Sequence, residues 1–165
     1  DDYWLPNKLQ NTIQIIHANK NINFISHEEY VVNNLIIKNS KLSRYFNPSI
    51  TISKQLYKRN FLSTSTCTVL KSLIENYLFD PDLTSGQDYE LWLALSPRIK
   101  LEFIKKPLGF YDVSSPNSIT NSSQFKRYRN LLIILFRYAE YVNFFLFGKI
   151  LIKHSLAFIA HIFKK

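Results

Sequence analysis

Between Phe61 and Ile104 the sequence passes from strand period to helix period and back, with a turn cluster between, and no other feature constrains the fold as much. "FLSTSTCTVL" alternates large and small residues as a strand does and runs into a helix from about Lys71 to Tyr77. "FDPDLTSG" breaks that helix with residues that favour turns. "SGQDYELWLAL" then sets Leu91, Trp92 and Leu95 on one helical face, and "IKLEFI" alternates again until Pro107 and Gly109 interrupt it. Strands alternating with helices predict an α/β fold.

The flanks agree. Asn7 can cap a helix, with Gln10 as its box-like partner, and Leu9, Ile13 and Ile16 fall on one face before an end near Ala18. "NINFIS" predicts a strand, the polar stretch "NNLIIKNSKLSRYFNPS" a hairpin or loop, and Ile50 to Asn60 a short helix. The 165 residues suffice for one domain with a core, and no repeat is visible. The chain has no methionine, so Asp1 is no initiator and the sequence is expected to belong to something longer. Cys67, the single cysteine, excludes an internal disulfide and most structural zinc sites and fits a reducing, cytoplasmic setting. With only three glycines there is no glycine-rich phosphate loop.

The net charge of +9 is uneven: residues 125–165 carry eight basic residues against Glu140 alone, so seven of the nine excess charges lie there. "SSPNSITNSSQ" separates this segment as a Ser/Asn-rich linker. The expected division is therefore 1–124, an α/β unit, and 125–165, a basic amphipathic helical tail.

Two places could carry chemistry. Asp1 and Asp2 either are solvated or cap the helix that follows, or ligate a hard cation, since Mg²⁺ or Mn²⁺ takes one or two carboxylates plus phosphate oxygens. Asp88 lies three residues after Ser85, so it is either the third residue of a capped helix or a general base at a helix start, placed to meet a substrate hydroxyl. Weaker candidates are His27, Glu28 and Glu29, consecutive on a strand so that their side chains diverge. The Ser/Thr run 63–66 lacks a nearby histidine to make a nucleophile. His17, on a helix flank, needs no special role.

"DDYWLPNKL", then "NFLSTSTCTVLKSLIENYLFDPDLTSGQDYELWLAL", then "KKPLGFYDV" followed by "NSIT" occur in the order and near the spacing of the second half of family 2 glycosyltransferases. The sequence resembles that family over about residues 1–120. The resemblance implies a partial GT-A (Rossmann-like) domain with a mixed sheet, followed by the C-terminal helical segment, whose preceding nucleotide-binding half is not in this sequence. It implies a hexosyltransferase-type enzyme moving sugar from a nucleotide-diphosphate donor to a glycan or lipid-linked acceptor with inversion, in cell-surface polysaccharide synthesis. These 165 residues alone are expected to be inactive.

The same resemblance assigns roles. Asp1 corresponds to the last acid of the DxD motif and Asp2 to its neighbour, both at a Mg²⁺ or Mn²⁺ that bridges the donor diphosphate. Asp88 corresponds to the catalytic base, and Trp92 and Gln87 to the acceptor side. The sequence departs from the pattern twice: Gln87 stands where glutamate is common, and Asp112 where an arginine often follows the aromatic matching Tyr111.

In the tail, Lys149, Lys153, Ala157, His161 and Lys165 recur every fourth residue while Ile152, Leu156, Ile159 and Phe163 face elsewhere. The longest uncharged run, His154 to Phe163, is ten residues, short of the ~18 needed to span a bilayer. The tail is therefore expected either to lie on the anionic inner face of the plasma membrane, through Lys149, Lys153, Lys164 and Lys165, or to pack back as a helical hairpin. A competing function is a basic binding module without catalysis: "FKRYR" interleaves aromatics with cations as single-stranded nucleic-acid binders do, although that accounts for the last 40 residues only and makes nucleic acid the lesser partner.

Overall fold

A computed structural model describes residues 2–114 and 123–163. Over these described residues the chain is α/β with a mixed five-stranded sheet. Its strands are β1 (Tyr3–Trp4), β2 (Phe24–Asn33), β3 (Ile36–Asn39), β4 (Thr68–Val69) and β5 (Leu101–Asp112), and its helices α1 (Lys8–Ala18), α2 (Ile52–Lys58), α3 (Lys71–Ile74), α4 (Gln87–Leu95), α5 (Gln124–Arg137) and α6 (Phe144–Ile162). The order β1-β5-β2-β3 makes β2 the centre, with β5 parallel on one side and β3 and β4 antiparallel at opposite ends of the other. A strand bonded on both edges should be a continuous buried run, and Phe24 to Glu29 are all buried.

β5 does not stop at Pro107 and Gly109, contrary to the sequence expectation. The ladder with β2 steps from His27–Ile104 to Glu28–Pro107, so the strand bulges where proline brings no N–H to the ladder. Gly109 lies where β1 crosses: a Cβ there would stand 3.0 Å from the Tyr3 carbonyl oxygen. The bare backbone lets β1 pair at Trp4–Gly109 and so brings Asp2 beside β5. Conversely, "FLSTSTCTVL" is mostly not a strand. Thr64–Thr66 form a 3₁₀ turn and only Thr68–Val69 pair, because the small hydroxyl residues bond to side chains and local backbone instead of a ladder.

α1 forms where its period predicts but faces the other way. Lys8 and Thr12 are buried, whereas Leu9, Ile13 and Ile16 are exposed. The Asn7–Gln10 box is not made, since the Asn7 side chain bonds no helix-terminal amide. α4 is buried nearly all round instead of on one face, as a helix in the middle of a core should be. Trp92 meets Phe24 edge-on at 5.1 Å between ring centres, and Tyr57, Phe61, Leu93 and Leu95 complete the surrounding core.

The basic segment packs back as a helical hairpin. α5 adds Ile134 and Leu135 to the same core, and the Leu135 carbonyl accepts from the Tyr57 hydroxyl at 2.6 Å. Glu90, buried in α4, accepts from Arg137 at 2.8 Å and from the Tyr138 hydroxyl at 2.6 Å, while Arg137 also donates to Asp80 at 2.7 Å. Glu90 is buried and takes two donors from the end of α5, so these bonds tie α5 to α4. α6 stacks on α5 through Phe158 and Tyr128, whose ring centres are 4.2 Å apart, and Ile150 reaches the core.

Candidate functional site

Asp88 stands in the first turn of α4, reached through Gly86 at φ 75°, a left-handed conformation that only glycine adopts readily. The capping pair with Ser85 is not formed: α4 has no side-chain cap, and the Ser85 hydroxyl and carbonyl both face Asn130 of α5. The Asp88 carboxylate is held otherwise. One oxygen accepts from the Tyr89 amide at 2.8 Å and the other from the Thr64 hydroxyl at 2.8 Å.

Thr64 belongs to the turn after Ser63, and that turn is bound from several sides. Ser63 donates to Glu29 at 3.0 Å, and Ser65 donates to the same carboxylate at 3.4 Å. The Ser65 carbonyl accepts from Trp4 Nε1 and Lys8 Nζ, both at 2.9 Å. Thr66 bonds the buried Ser26 hydroxyl at 2.9 Å. The acid-bearing segment, β2 and Asp88 thus meet at one small hydroxyl turn.

Burial dominates the electrostatics. It pushes the Glu29 carboxyl up to about 7, aided by the Asp2 charge and opposed by the two serine hydroxyls. It pulls Lys8 down to about 8, against the pull of Cys67 and Glu29, and the Lys8 ammonium also lies 3.7 Å from the Trp4 ring centre. His27 falls to about 4, mainly because burial disfavours its cation, and its Nε2 has no partner among the described residues. Glu28 points elsewhere, onto the amides of Leu42 and Ser43 and the Ser40 hydroxyl, so the three consecutive candidates diverge as their strand requires. The Tyr111 phenol is raised by burial and by the charges of Asp2, Glu29 and Asp88, and lowered by Arg127.

Two clefts open beside Asp88. One, of about 460 Å³, runs between the start of α4 and the α5–α6 hairpin, lined by Arg127, Tyr128, His154, Phe158 and His161 among others. The other, of about 440 Å³, is lined by Thr64, Phe79, Gln87 and Arg127. A half-buried carboxylate bordered by clefts and an arginine can take a proton from a bound hydroxyl beside an anionic group.

Of the expected residues, Asp88 and Gln87 line these clefts. Trp92 lines neither, being 3% exposed in the core. Asp2 is exposed at the edge of β5, where one oxygen accepts from the Asp112 amide at 3.2 Å. Asp112 itself turns onto Ser114. Lys149 and Lys153 are exposed on α6, and Asp1, Lys164, Lys165 and residues 115–122 lie outside the described residues. Among the described residues no group of three or more His, Cys, Asp or Glu side chains is gathered to hold a metal. Asp2 is an exposed carboxylate, a hard oxygen donor of the kind that Mg²⁺ or Mn²⁺ accepts alongside phosphate. Sequence reasoning gave Arg127 no place in the site and ranked Glu29 and the run containing Thr64 as weak: nothing local marks a threonine as bonded to an aspartate 24 residues away.

No family model matches the chain, and no curated protein matches it in sequence.

Proposed function

We propose that the chain is the acceptor-side part of a family 2 glycosyltransferase of GT-A type. The observation that carries this is Asp88 opening onto two clefts while the turn that holds it also binds Glu29 and the Trp4–Lys8 segment that follows Asp2. In this reaction an acceptor hydroxyl lies in a cleft beside Asp88. Its oxygen attacks the anomeric carbon as the bond to the diphosphate breaks, its proton passes to the Asp88 carboxylate, and the single displacement inverts the configuration. The nucleoside diphosphate leaves. Arg127, which borders both clefts, offers positive charge to an anionic part of donor or acceptor. Asp2, with Asp1 beside it in sequence, would hold Mg²⁺ or Mn²⁺, which when bound supplies charge neutralisation at the leaving diphosphate.

The test is release of nucleoside diphosphate from a panel of UDP-, dTDP- and GDP-hexoses by the full-length protein. Release is expected with Mn²⁺ or Mg²⁺ and is lost on chelation. No release from any donor in the panel overturns the proposal.

A second surface favours peripheral membrane attachment on the cytoplasmic side. α6 turns one face to α5 and the other outward, where Phe145, Ile152, Leu156 and Ile159 are exposed with Lys149 and Lys153 alongside. Its 19 residues are long and apolar enough to cross a bilayer by length and composition, but its packing on α5 and its two mid-helix lysines fit the plane of an anionic leaflet better. The protein is expected to float with phosphatidylserine vesicles and to float less once Lys149 and Lys153 are both changed to glutamate. Equal flotation of the two would remove the membrane role.

A further inference from the structure

We infer that Thr64 is a positioning residue for Asp88, and that the turn Ser63–Thr66 is the joint that fixes this base relative to the acid-bearing amino-terminal segment. The inference rests on the glycosyltransferase proposal and extends it to a side chain with no chemistry of its own. The contacts of the run 63–66 give its hydroxyls a structural use, with Thr64 turned onto Asp88 and Ser63 onto Glu29.

The carboxylate of Asp88 has one donor on each oxygen. The Tyr89 amide is part of the backbone of α4 and moves with it, so it cannot fix Asp88 relative to anything outside that helix. The Thr64 hydroxyl is the bond that reaches out of the helix, across 24 residues of sequence, at 2.8 Å. With both bonds made, the plane of the carboxylate is set, and the lone pairs that remain are aimed in fixed directions along the clefts.

The donor is as well fixed as the acceptor. Ser63 is tied to Glu29 of β2 at 3.0 Å, and Thr66 to Ser26 of the same strand at 2.9 Å. The Ser65 carbonyl takes Trp4 Nε1 and Lys8 Nζ, from either side of the Pro6 bend that follows the acids. The Thr66 hydroxyl also closes the turn on the Ser63 carbonyl at 2.7 Å. A displacement transfers a proton to one group while a bond breaks near another, so the distance between the two must be held. Here the turn spans it, with the Trp4–Lys8 segment that follows Asp2 bound on one side and Asp88 on the other. Misplacement of a reacting group by about 1 Å costs roughly 10²-fold in rate.

Thr64→Val keeps the shape of the side chain and removes the donor, and Thr64→Ser keeps the donor and removes the methyl. In the full-length protein, with UDP-, dTDP- and GDP-hexoses and Mn²⁺ as probes, Thr64→Val is expected to lower kcat roughly 10-fold or more. KM for the sugar nucleotide should change by less than about twofold, and Thr64→Ser should restore kcat. In the Asp88→Asn background Thr64→Val should have no further effect, because a residue that acts through Asp88 has nothing left to position.

Normal kcat in Thr64→Val beside an inactive Asp88→Asn overturns the positioning role and leaves the glycosyltransferase proposal standing. Equal damage from Thr64→Ser and Thr64→Val, or a further loss on top of Asp88→Asn, also overturns it. If Asp88→Asn turns over normally, the catalytic proposal falls, and this one with it.

Discussion

Asp88→Asn should reduce sugar transfer by about 10²- to 10⁴-fold, the contribution expected of a positioned general base. The substitution is nearly isosteric. The side-chain carbonyl oxygen of asparagine can still accept from the Thr64 hydroxyl or the Tyr89 amide, so the geometry that holds the residue in place survives in part. On the proposed mechanism, what is lost is the ability to take the acceptor's proton. A change felt only as the acceptor oxygen sheds its proton lowers kcat and kcat/KM together and leaves the donor KM near its normal value. Nucleoside diphosphate release by the full-length protein with a divalent metal measures both constants, and a thermal melt on the same sample should show little change because Asp88 is at the cleft surface and not in the core. Near-normal turnover would remove Asp88 from the role of base.

What was legible in the sequence, and what was not, follows from the range of the interactions. α4 forms over Gln87–Leu95 as its apolar content predicts, and the β2–β3 hairpin forms in the stretch that promised a hairpin or loop. Both depend on neighbours in sequence. The face that α1 buries does not. Leu9, Ile13 and Ile16 make a proper apolar stripe, yet the helix is oriented by Lys8, whose ammonium is drawn under the Trp4 ring and onto the Ser65 carbonyl, a contact 57 residues distant. Pro107 and Gly109 mislead in a similar way. Both weaken a strand on average, but here the bulge absorbs the proline and the glycine admits β1.

The candidate site divides along the same line. Asp88 could be picked out because a carboxylate after a serine and a glycine at a helix start has few uses. The choice between cap and base was open in sequence; in the structure Asn130 engages Ser85 from α5, while Asp88 accepts one backbone amide and the Thr64 hydroxyl. Glu29 could not be ranked, because a strand Glu beside another Glu carries no sign of which one faces the site; only the partners distinguish them, backbone amides for Glu28 and serine hydroxyls for Glu29. Arg127 reads as one more cation in "FKRYR" until the hairpin folds back and sets it on the rim of both clefts. The charge asymmetry that made the tail look like a separate binding module is thus partly a wall of the candidate site.

Trp92→Ala should destabilise the protein by about 3–5 kcal/mol, the usual cost of emptying a buried aromatic site, and lower the melting temperature by roughly 10 °C for a chain of this size. Trp92 is enclosed by the core, edge-on to Phe24, which is itself fully buried on the central strand. The cavity left by alanine would open between α4 and the sheet, where close neighbours on rigid elements cannot collapse to fill it. Trp92→Phe discriminates between packing and an acceptor-side role. The Trp92 indole nitrogen is buried with no hydrogen-bond partner among the described residues, so phenylalanine discards an unsatisfied donor while giving up part of the ring volume. The two effects oppose each other, and the net loss should stay below about 1.5 kcal/mol. If Trp92 acts only in packing, Trp92→Phe keeps kcat and the acceptor KM near normal while Trp92→Ala loses activity in step with its folded fraction. An unchanged melting temperature with a raised acceptor KM in Trp92→Phe would instead return Trp92 to the acceptor wall, and would require the core around α4 to open when acceptor binds.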